Sequence, residues 1–358
     1  MKIWFKRLHL IFALIAGLFL INISLSSSLL VFGKDIQQLW HPKQWTISQS
    51  AQPVDLTRTL TGILAQAENN NRSITQITIS NRSEWPWEIQ LTNGEQWNVD
   101  PNNGDIIHRY QQGEDFYNWC QRWHRWLWID NKTFKPWARH LISGVSLVLI
   151  LEVILGYLLW SIPRRGMLKR LRLRPGRDWR TRFHQYHLLI GVLFGVPLLL
   201  VAFTGLSFNW PTQSIFETVT SSTMAIRANN KAATVGGLDQ LEVSLHKAQQ
   251  ALPNASIRRI YFPKNAMDPL QVRMQYAGEE APFSYIWIDA GNAEILTLYD
   301  SAEAPVANDW WDFKYAFHVG LWLGSITQWL WLLIALLPAA FTLSGGYLYY
   351  KRCVQKRQ

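Results

Sequence analysis

The sequence predicts a membrane α-helical protein: a four-transmembrane-helix bundle with two small extracytoplasmic α+β lobes, arranged as an internal two-fold repeat. Four apolar stretches predict the bundle, because they contain no Lys or Arg and only one acidic residue, Glu152. Each is long enough to cross a hydrocarbon core, which needs about 20 helical residues. The stretches are 8–33, 141–160, 188–210 and 325–350. The polar blocks between them, roughly 34–122 and 211–316, are each large enough for a small domain.

The predicted segments follow one another as span, lobe, span, loop, and then span, lobe, span, tail. They are a first transmembrane helix over 1–33, a first lobe over 34–118, a Trp-rich interfacial segment with the second helix over 119–160, a basic loop over 161–183, a third helix over 184–210, a second lobe over 211–316, a fourth helix over 317–350 and a basic tail over 351–358.

Basic residues indicate the orientation of the chain in the membrane. Lys and Arg concentrate in three short segments, as the positive-inside rule expects of cytoplasmic ones. These are Lys2, Lys6 and Arg7 before the first span, the loop residues between 164 and 182, and Lys351, Arg352, Lys356 and Arg357 after the fourth span. The formal net charge of +10 is therefore a topology signal, and we expect no nucleic acid as a partner. Both termini are predicted to be cytoplasmic and both lobes extracytoplasmic.

The first apolar segment has an alternative interpretation as a cleaved signal peptide, since it combines a basic start with an apolar core. It is too long for a usual signal-peptide core, lacks a clear A-x-A site and matches the third span, so we expect it to be retained. In this topology Cys120 and Cys353 lie on opposite sides of the membrane and cannot pair. The lobes then have no disulfide framework.

Four histidines mark the repeat. They are His9 and His187, which each open an apolar stretch, and His124 and His318, which each precede another. Ser26 and Thr204 follow the first two at the same interval of 17 residues. The lobes repeat as well, with a predicted helix, then strands, then a strand–turn–strand hairpin. The matching segments are helices over 55–68 and 239–252, strands over 74–80 and 257–262, and hairpins over 97–107 and 286–296.

Several short stretches, taken in their order across the two halves, identify a family resemblance. They are Leu8-His9, Trp123-His124-Arg125-Trp126-Leu127, the His187-x-x-x-Gly191 start of span three, Thr204-Gly205-Leu206, the lobe turns around Asp100 and Asp289, and Phe317-His318-Val319-Gly320. In this order they resemble PepSY-associated transmembrane proteins over nearly the whole chain. The resemblance implies a bacterial inner-membrane protein with periplasmic PepSY-like lobes. It also implies haem b between the spans and an activity similar to that of iron-regulated ferric-siderophore reductases.

The repeated histidines are the candidate axial ligands of haem, because neutral imidazole ligates haem iron well. Anchoring of helix ends at the membrane interface explains a single histidine, but it explains four in symmetric register less well. Pairing on the same side of the membrane puts one haem between His9 and His187 and a second between His124 and His318. With this pairing an electron would cross the core of about 30 Å in two steps. Other pairings remain open.

Two further histidines compete for these positions. His140, early in span two, replaces His124 if the Trp-rich stretch 119–128 lies on the membrane surface. His184 lies three residues before His187 on the same helical face, although a basic loop near lipid phosphates is the simpler explanation of it.

Glu152 and several arginines complete the candidate site residues. A carboxyl group inside a membrane is costly and marks a functional candidate. We expect Glu152 to hydrogen-bond a neighbouring helix, with a proton route coupled to haem reduction as the alternative. Arg122, Arg125 and Arg139 are candidates to pair with haem propionates, and snorkelling to lipid phosphate explains them equally well.

Two function classes follow. The first is a redox enzyme that passes electrons across the bilayer to a ferric siderophore or another Fe(III) chelate. Its electron donor must be external, a cytoplasmic reductase or membrane quinol, because no nucleotide-binding G-x-G-x-x-G follows a strand. The second is a non-enzymatic membrane module whose lobes bind or regulate a periplasmic peptide, protease or partner protein. An iron-carrying permease is a weaker third class, and the sequence names no catalytic residue.

Overall fold

A computed structural model describes residues 2–48, 54–174, 178–225, 239–265 and 267–355 of the 358-residue chain. The helices are α1 (Lys2–Val31), α2 (Gly33–Trp40), α3 (Pro42–Trp45), α4 (Leu56–Asn69), α5 (Phe116–Trp126), α6 (Lys135–Ser161), α7 (Trp179–Leu206), α8 (Gln213–Thr220), α9 (Leu241–Ala251), α10 (Val306–Val319) and α11 (Ser325–Gln355). The strands are β1 (Ile74–Thr78), β2 (Trp87–Leu91), β3 (Glu95–Val99), β4 (Ile106–Gln111), β5 (Ala255–Tyr261), β6 (Leu270–Tyr276), β7 (Ser284–Ile288) and β8 (Ile295–Tyr299).

The chain divides into two units. The helical unit combines residues 1–33, 119–214 and 314–358, and the sheet unit combines residues 34–118 and 215–313. In the helical unit α1, α6, α7 and α11 are long and apolar enough to cross a membrane, which confirms the four predicted spans. Helix α1 packs against α6 and α11, and α7 packs against the same two helices. The four spans therefore form a closed bundle.

The predicted segment 317–350 contains parts of two helices. Gly320 and Gly324 have φ angles of +78° and +67°, which glycine adopts readily, and they end α10 before α11 starts at Ser325. His318 therefore lies on the separate helix α10. At the other boundary, α7 begins at Trp179, inside the predicted basic loop.

Close contacts hold the spans together. A Cβ atom at Gly17 of α1 would lie only 2.8 Å from Cγ2 of Thr342 on α11, so glycine permits this approach.

Pro338 removes a backbone donor from α11. Beside it, the Ser24 hydroxyl of α1 contacts the Ala335 carbonyl and lies 3.3 Å from the Ala339 nitrogen. Polar side chains of neighbouring helices are what make proline tolerable in a span.

The sheet unit contains an eight-stranded antiparallel sheet in the order β4-β3-β2-β1-β5-β6-β7-β8. The sequence predicts two separate lobes, and here the structure differs. Strand β1 of the first polar block pairs with β5 of the second, with Ile77 opposite Ile260. An edge strand exposes unpaired backbone groups. By pairing with each other, β1 and β5 satisfy the backbone groups along one edge of each block. The two blocks thus share one sheet.

One core runs through the whole sheet unit. Ile77 and Ile260 are fully buried in it, together with Leu60 of α4 and Leu245 of α9. The helices predicted over 55–68 and 239–252 and the strands predicted over 74–80 and 257–262 lie within two residues of α4, α9, β1 and β5, whereas the predicted hairpins end three to four residues before β4 and β8 do. These elements form where expected because their periodicity and caps are local. For example, Asp55 accepts the Arg58 N–H at 3.1 Å and so begins α4.

Candidate functional site

One pair of the repeated histidines lies between two spans of the helical unit. The rings of His9 on α1 and His187 on α7 are perpendicular, and their centres lie 6.4 Å apart. The Nδ1 atom of His9 contacts the carboxylate of Glu152 on α6. The Nδ1 atom of His187 lies 2.8 Å from the Ser344 hydroxyl oxygen on α11. Each of the four spans therefore contributes one side chain to the group formed by the two histidines, Glu152 and Ser344.

Glu152 is the one acidic residue of the spans, and its side chain contacts the neighbouring helix α1. One carboxylate oxygen contacts His9. The other, Oε1, is buried and has no hydrogen-bond partner among the described residues. Glu152 thus contacts His9, a candidate haem ligand. The position of Glu152 in the sequence does not reveal this contact.

The second pair consists of His124 on α5 and His318 on α10. Their ring centres lie 6.3 Å apart. The Nδ1 atom of His124 lies 3.2 Å from both the Ser26 and the Ser27 hydroxyl oxygens of α1. These hydroxyls belong to the span that also carries His9.

Around His318 the contacts also specify a tautomer. Its Nδ1 atom lies 3.0 Å from the Thr204 hydroxyl oxygen and 3.1 Å from the Val201 carbonyl oxygen. A carbonyl oxygen only accepts, so the bond to Val201 requires a proton on Nδ1. In the neutral ring Nε2 then keeps its lone pair, which is the form that ligates a metal.

The two pairs are separated along the bundle. Ser26 comes 17 residues after His9 on α1, and Thr204 comes 17 residues after His187 on α7. At 1.5 Å per residue this interval corresponds to about 25 Å along each helix. Each of these two spans therefore carries a histidine of one pair and a hydroxyl that contacts the other pair.

The spacing within each pair fits two imidazoles on one metal ion. With metal–nitrogen bonds of about 2.0–2.1 Å and roughly 1.1 Å from nitrogen to ring centre, opposed Nε2 ligands predict centres about 6.3 Å apart. The observed distances are 6.4 and 6.3 Å. Nδ1 engaged by a neighbouring oxygen is the usual second contact of a ligating histidine. Two imidazoles suffice for haem, whose macrocycle supplies the remaining ligands.

Glycines border both pairs at different distances. A Cβ atom at Gly205 would lie 3.0 Å from Cε1 of His318, a tight contact. A Cβ atom at Gly345 would lie 3.9 Å from Cε1 of His187, an ordinary van der Waals distance. The His318 ring therefore depends on a glycine neighbour more strongly than the His187 ring does.

The competing histidines lie elsewhere. His140 is exposed, and its Nδ1 atom is 3.2 Å from Nε1 of Trp210. His184 is exposed on α7. Among the described residues, neither forms a ring contact with another histidine, in contrast to the two pairs above. No group of three or more His, Cys, Asp or Glu suited to a metal ion occurs in the described part of the chain.

The candidate arginines have other neighbours. Arg122 forms an ion pair with Asp130. The guanidinium groups of Arg125 and Arg139 lie 4.9 and 5.5 Å from the centre of the Trp126 ring. Their pairing with haem propionates stays a prediction.

The hydroxyls beside the histidines are the site residues that sequence reasoning missed. Ser26 and Thr204 share an interval from His9 and His187, and this interval was the available signal. The interval identifies the repeat, but it does not show that Ser26 contacts His124 or that Thr204 contacts His318. Ser27 and Ser344 carry no comparable signal.

The arrangement can be compared with known proteins. No curated protein gives a significant match to this chain. The family described as the PepSY-associated TM region matches residues 6–352. That match includes all four spans, both polar blocks and all four paired histidines. The chain therefore belongs to the PepSY-associated TM family.

Proposed function

We propose that this protein is a haem-containing transmembrane electron-transfer protein that reduces a ferric siderophore or another Fe(III) chelate on the periplasmic side during iron uptake. One observation carries the proposal. Two histidine pairs, about 25 Å apart along the bundle by helix rise, both have the ring separation expected of two imidazoles on one iron. The same separation recurs in both pairs of the repeated unit, which supports a shared ligand role.

Each residue of the site has a role in this proposal. His9 and His187 hold one haem b, and His124 and His318 hold the other. Haem bound in this way supplies one-electron transfer at each end of the bundle. Glu152 and Ser344 orient the first pair of rings, and hydroxyls of α1 and α7 orient the second. Such outer contacts fix the ring and the tautomer that a ligand needs.

The proposed reaction adds one electron to Fe(III) and yields Fe(II). Oxygen-rich chelators hold Fe(II) less tightly than the harder Fe(III) ion, so reduction favours release of the metal. The electron comes from an external donor, a cytoplasmic reductase or membrane quinol. The basic segments at the termini and between α6 and α7 support a cytoplasmic location for both termini in an inner membrane. The family membership supports periplasmic PepSY-like lobes.

The proposal includes an internal two-fold repeat. The strand order reads from β1 outward to β4 on one side and from β5 outward to β8 on the other. Each half thus contributes four strands as a meander, with one helix, α4 or α9, directly before the first strand. The paired histidines also come one from each half. Both features support a duplicated unit of span, lobe and span.

The absorption spectrum of the purified protein tests the function. We expect a Soret band and, after dithionite, a sharp α-band that disappears when an Fe(III) chelate is added. A colourless protein from haem-replete cells would remove the redox function and leave the alternative, a non-enzymatic module that binds or regulates a periplasmic peptide, protease or partner protein. A red protein that the chelate does not reoxidise would exclude the reductase.

Substitutions then test the ligands. His187→Ala and His318→Ala should each remove about half of the haem, because each residue belongs to a different pair. His140→Ala is the matched control within the spans and should leave the haem content unchanged. Equal haem in all three variants would overturn the ligand assignment.

A further inference from the structure

Two arginines face each other on the sheet, away from its core. Arg259 of β5 and Arg273 of β6 are direct cross-strand partners. Their neighbours Ile260 and Val272 are fully buried in the core on the opposite face. Because successive side chains of a strand point to opposite faces, the two guanidinium groups share the face that does not carry this core. Like charges directly opposite each other destabilise a sheet, so this pair needs an explanation.

No carboxylate among the described residues forms a direct ion pair with either arginine. Every Asp and Glu of the chain lies among the described residues, and none of them lies within 4.0 Å of either guanidinium group. Glu88 lies two strands away from Arg259, across Thr78. It is already paired with Lys34 at 3.1 Å. Glu88 also attracts Arg259 electrostatically over this longer distance, but neither arginine forms a direct ion pair with a carboxylate among the described residues.

Tyrosines hold the two arginines in place. The guanidinium group of Arg273 lies over the rings of Tyr261 and Tyr285, 5.0 and 4.5 Å from their centres. An Nη1 atom of Arg259 donates to the Tyr261 hydroxyl at 3.3 Å. The Nε atoms of both arginines are buried and without a hydrogen-bond partner in the described part of the chain. Stacking holds a guanidinium group in a fixed orientation, which favours the binding of an anion.

We propose that Arg259 and Arg273, with Tyr261 and Tyr285, form a binding site for an organic anion that carries at least two carboxylates. The planar guanidinium fork matches a carboxylate with two parallel hydrogen bonds. The partly exposed Tyr261 offers contact to the organic framework, which an inorganic oxyanion lacks. For the proposed function, this site names carboxylate-type Fe(III) chelates as the substrate class. Binding of the carboxylates does not depend on the proposed function, but the presence of iron in the bound molecule rests on it.

Binding of citrate to the full-length protein in detergent tests the site by calorimetry. Iron-free citrate, ferric citrate and inorganic phosphate are the probes. We expect both citrate forms to bind and to compete with each other, and phosphate to bind at least tenfold more weakly. Phosphate binding as tight as that of citrate would overturn the carboxylate class, and no binding of any probe would overturn the site.

Two variants and one control locate the site. Arg259→Gln and Arg273→Gln should each weaken citrate binding at least tenfold, and citrate should no longer raise their melting temperature. Arg109→Gln is the control, because Arg109 also lies over an aromatic ring of this sheet, 5.0 Å from the centre of Trp97. Equal affinity in Arg273→Gln and Arg109→Gln would sink the proposal. Citrate binding by a haem-free protein would uphold this site although the redox function fails. A red protein without citrate binding would do the reverse.

Discussion

His9 and His187 face each other, but their Nδ1 atoms have different partners. His9 contacts the carboxylate of Glu152, whereas His187 contacts the hydroxyl of Ser344. The partners of His124 and His318 are hydroxyl and carbonyl oxygens. Of the four candidate ligands, His9 alone therefore has a carboxyl group among these contacts.

This difference predicts unequal redox potentials. We expect an ionised Glu152 to make the His9 imidazole more basic and to stabilise oxidised iron, which would lower the potential of the first proposed haem. Glu152→Gln should raise that potential by roughly 59 mV, a tenfold change in the ratio of oxidised to reduced haem. A spectroelectrochemical titration measures it. Ser344→Ala is the control with a smaller shift, and a Glu152→Gln protein with both potentials unchanged contradicts the prediction.

The glycine beside His318 predicts a second effect. Gly205→Ala puts a Cβ atom 3.0 Å from the His318 ring, so the ring must move. Gly345→Ala puts one 3.9 Å from the His187 ring, which needs no movement. We expect Gly205→Ala to lower haem content toward one haem per chain and Gly345→Ala to leave it unchanged. Haem and protein assays of the purified variants give the number of haems per chain. Equal numbers in Gly205→Ala and Gly345→Ala would contradict the prediction that haem binding depends on the position of the His318 ring.

Asp115, in the sheet unit, predicts a pH dependence of stability. It accepts hydrogen bonds from the backbone and side-chain nitrogens of Asn118 at 3.0 and 2.8 Å. Burial raises the pKa of Asp115 above its ordinary value of 3.8. The folded protein then binds this proton more tightly than the unfolded chain does. The stabilisation is complete below the unfolded pKa and is lost as the pH rises through the folded pKa.

Asp115→Asn removes this titration. Its melting temperature relative to that of the unsubstituted protein should therefore rise as the pH increases from about 4 through the folded pKa, and level off above it. Thermal unfolding at a series of pH values measures the difference. Asp105→Asn, at an exposed turn residue, is the control. Parallel pH profiles for Asp115→Asn and the unsubstituted protein would refute the expectation.

The junction between β1 and β5 predicts a shared stability for the two halves of the sheet. Ile260 is fully buried at this junction, so Ile260→Ala should lower the free energy of unfolding of the sheet unit by about 2–5 kcal/mol. Leu298→Ala on the edge strand β8 is the control, because its side chain is 45% exposed. Pulse proteolysis should show cleavage in both halves together for Ile260→Ala. Cleavage confined to the second half would mean that the halves are stable separately.

Local patterns explain which features the sequence predicts. Apolar length identifies the spans, and periodicity identifies helices and strands such as α4 and β1, because both signals lie within a few neighbouring residues. The repeated histidines are visible for the same reason. The pairing of β1 with β5 is not, since two edge strands of similar composition can pair with many partners. The like-charged Arg259 and Arg273 become neighbours only through that sheet's register.

The sequence by itself determined the four spans, the two α+β blocks, the repeated histidines and the family. Only the tertiary structure decided that the blocks share one sheet, that His9 meets both Glu152 and His187, and that hydroxyls of α1 and α7 contact the second histidine pair. The physical reason is distance along the chain. Thr204 and His318 are 114 residues apart, and only the packing of the helices brings their side chains within 3.0 Å.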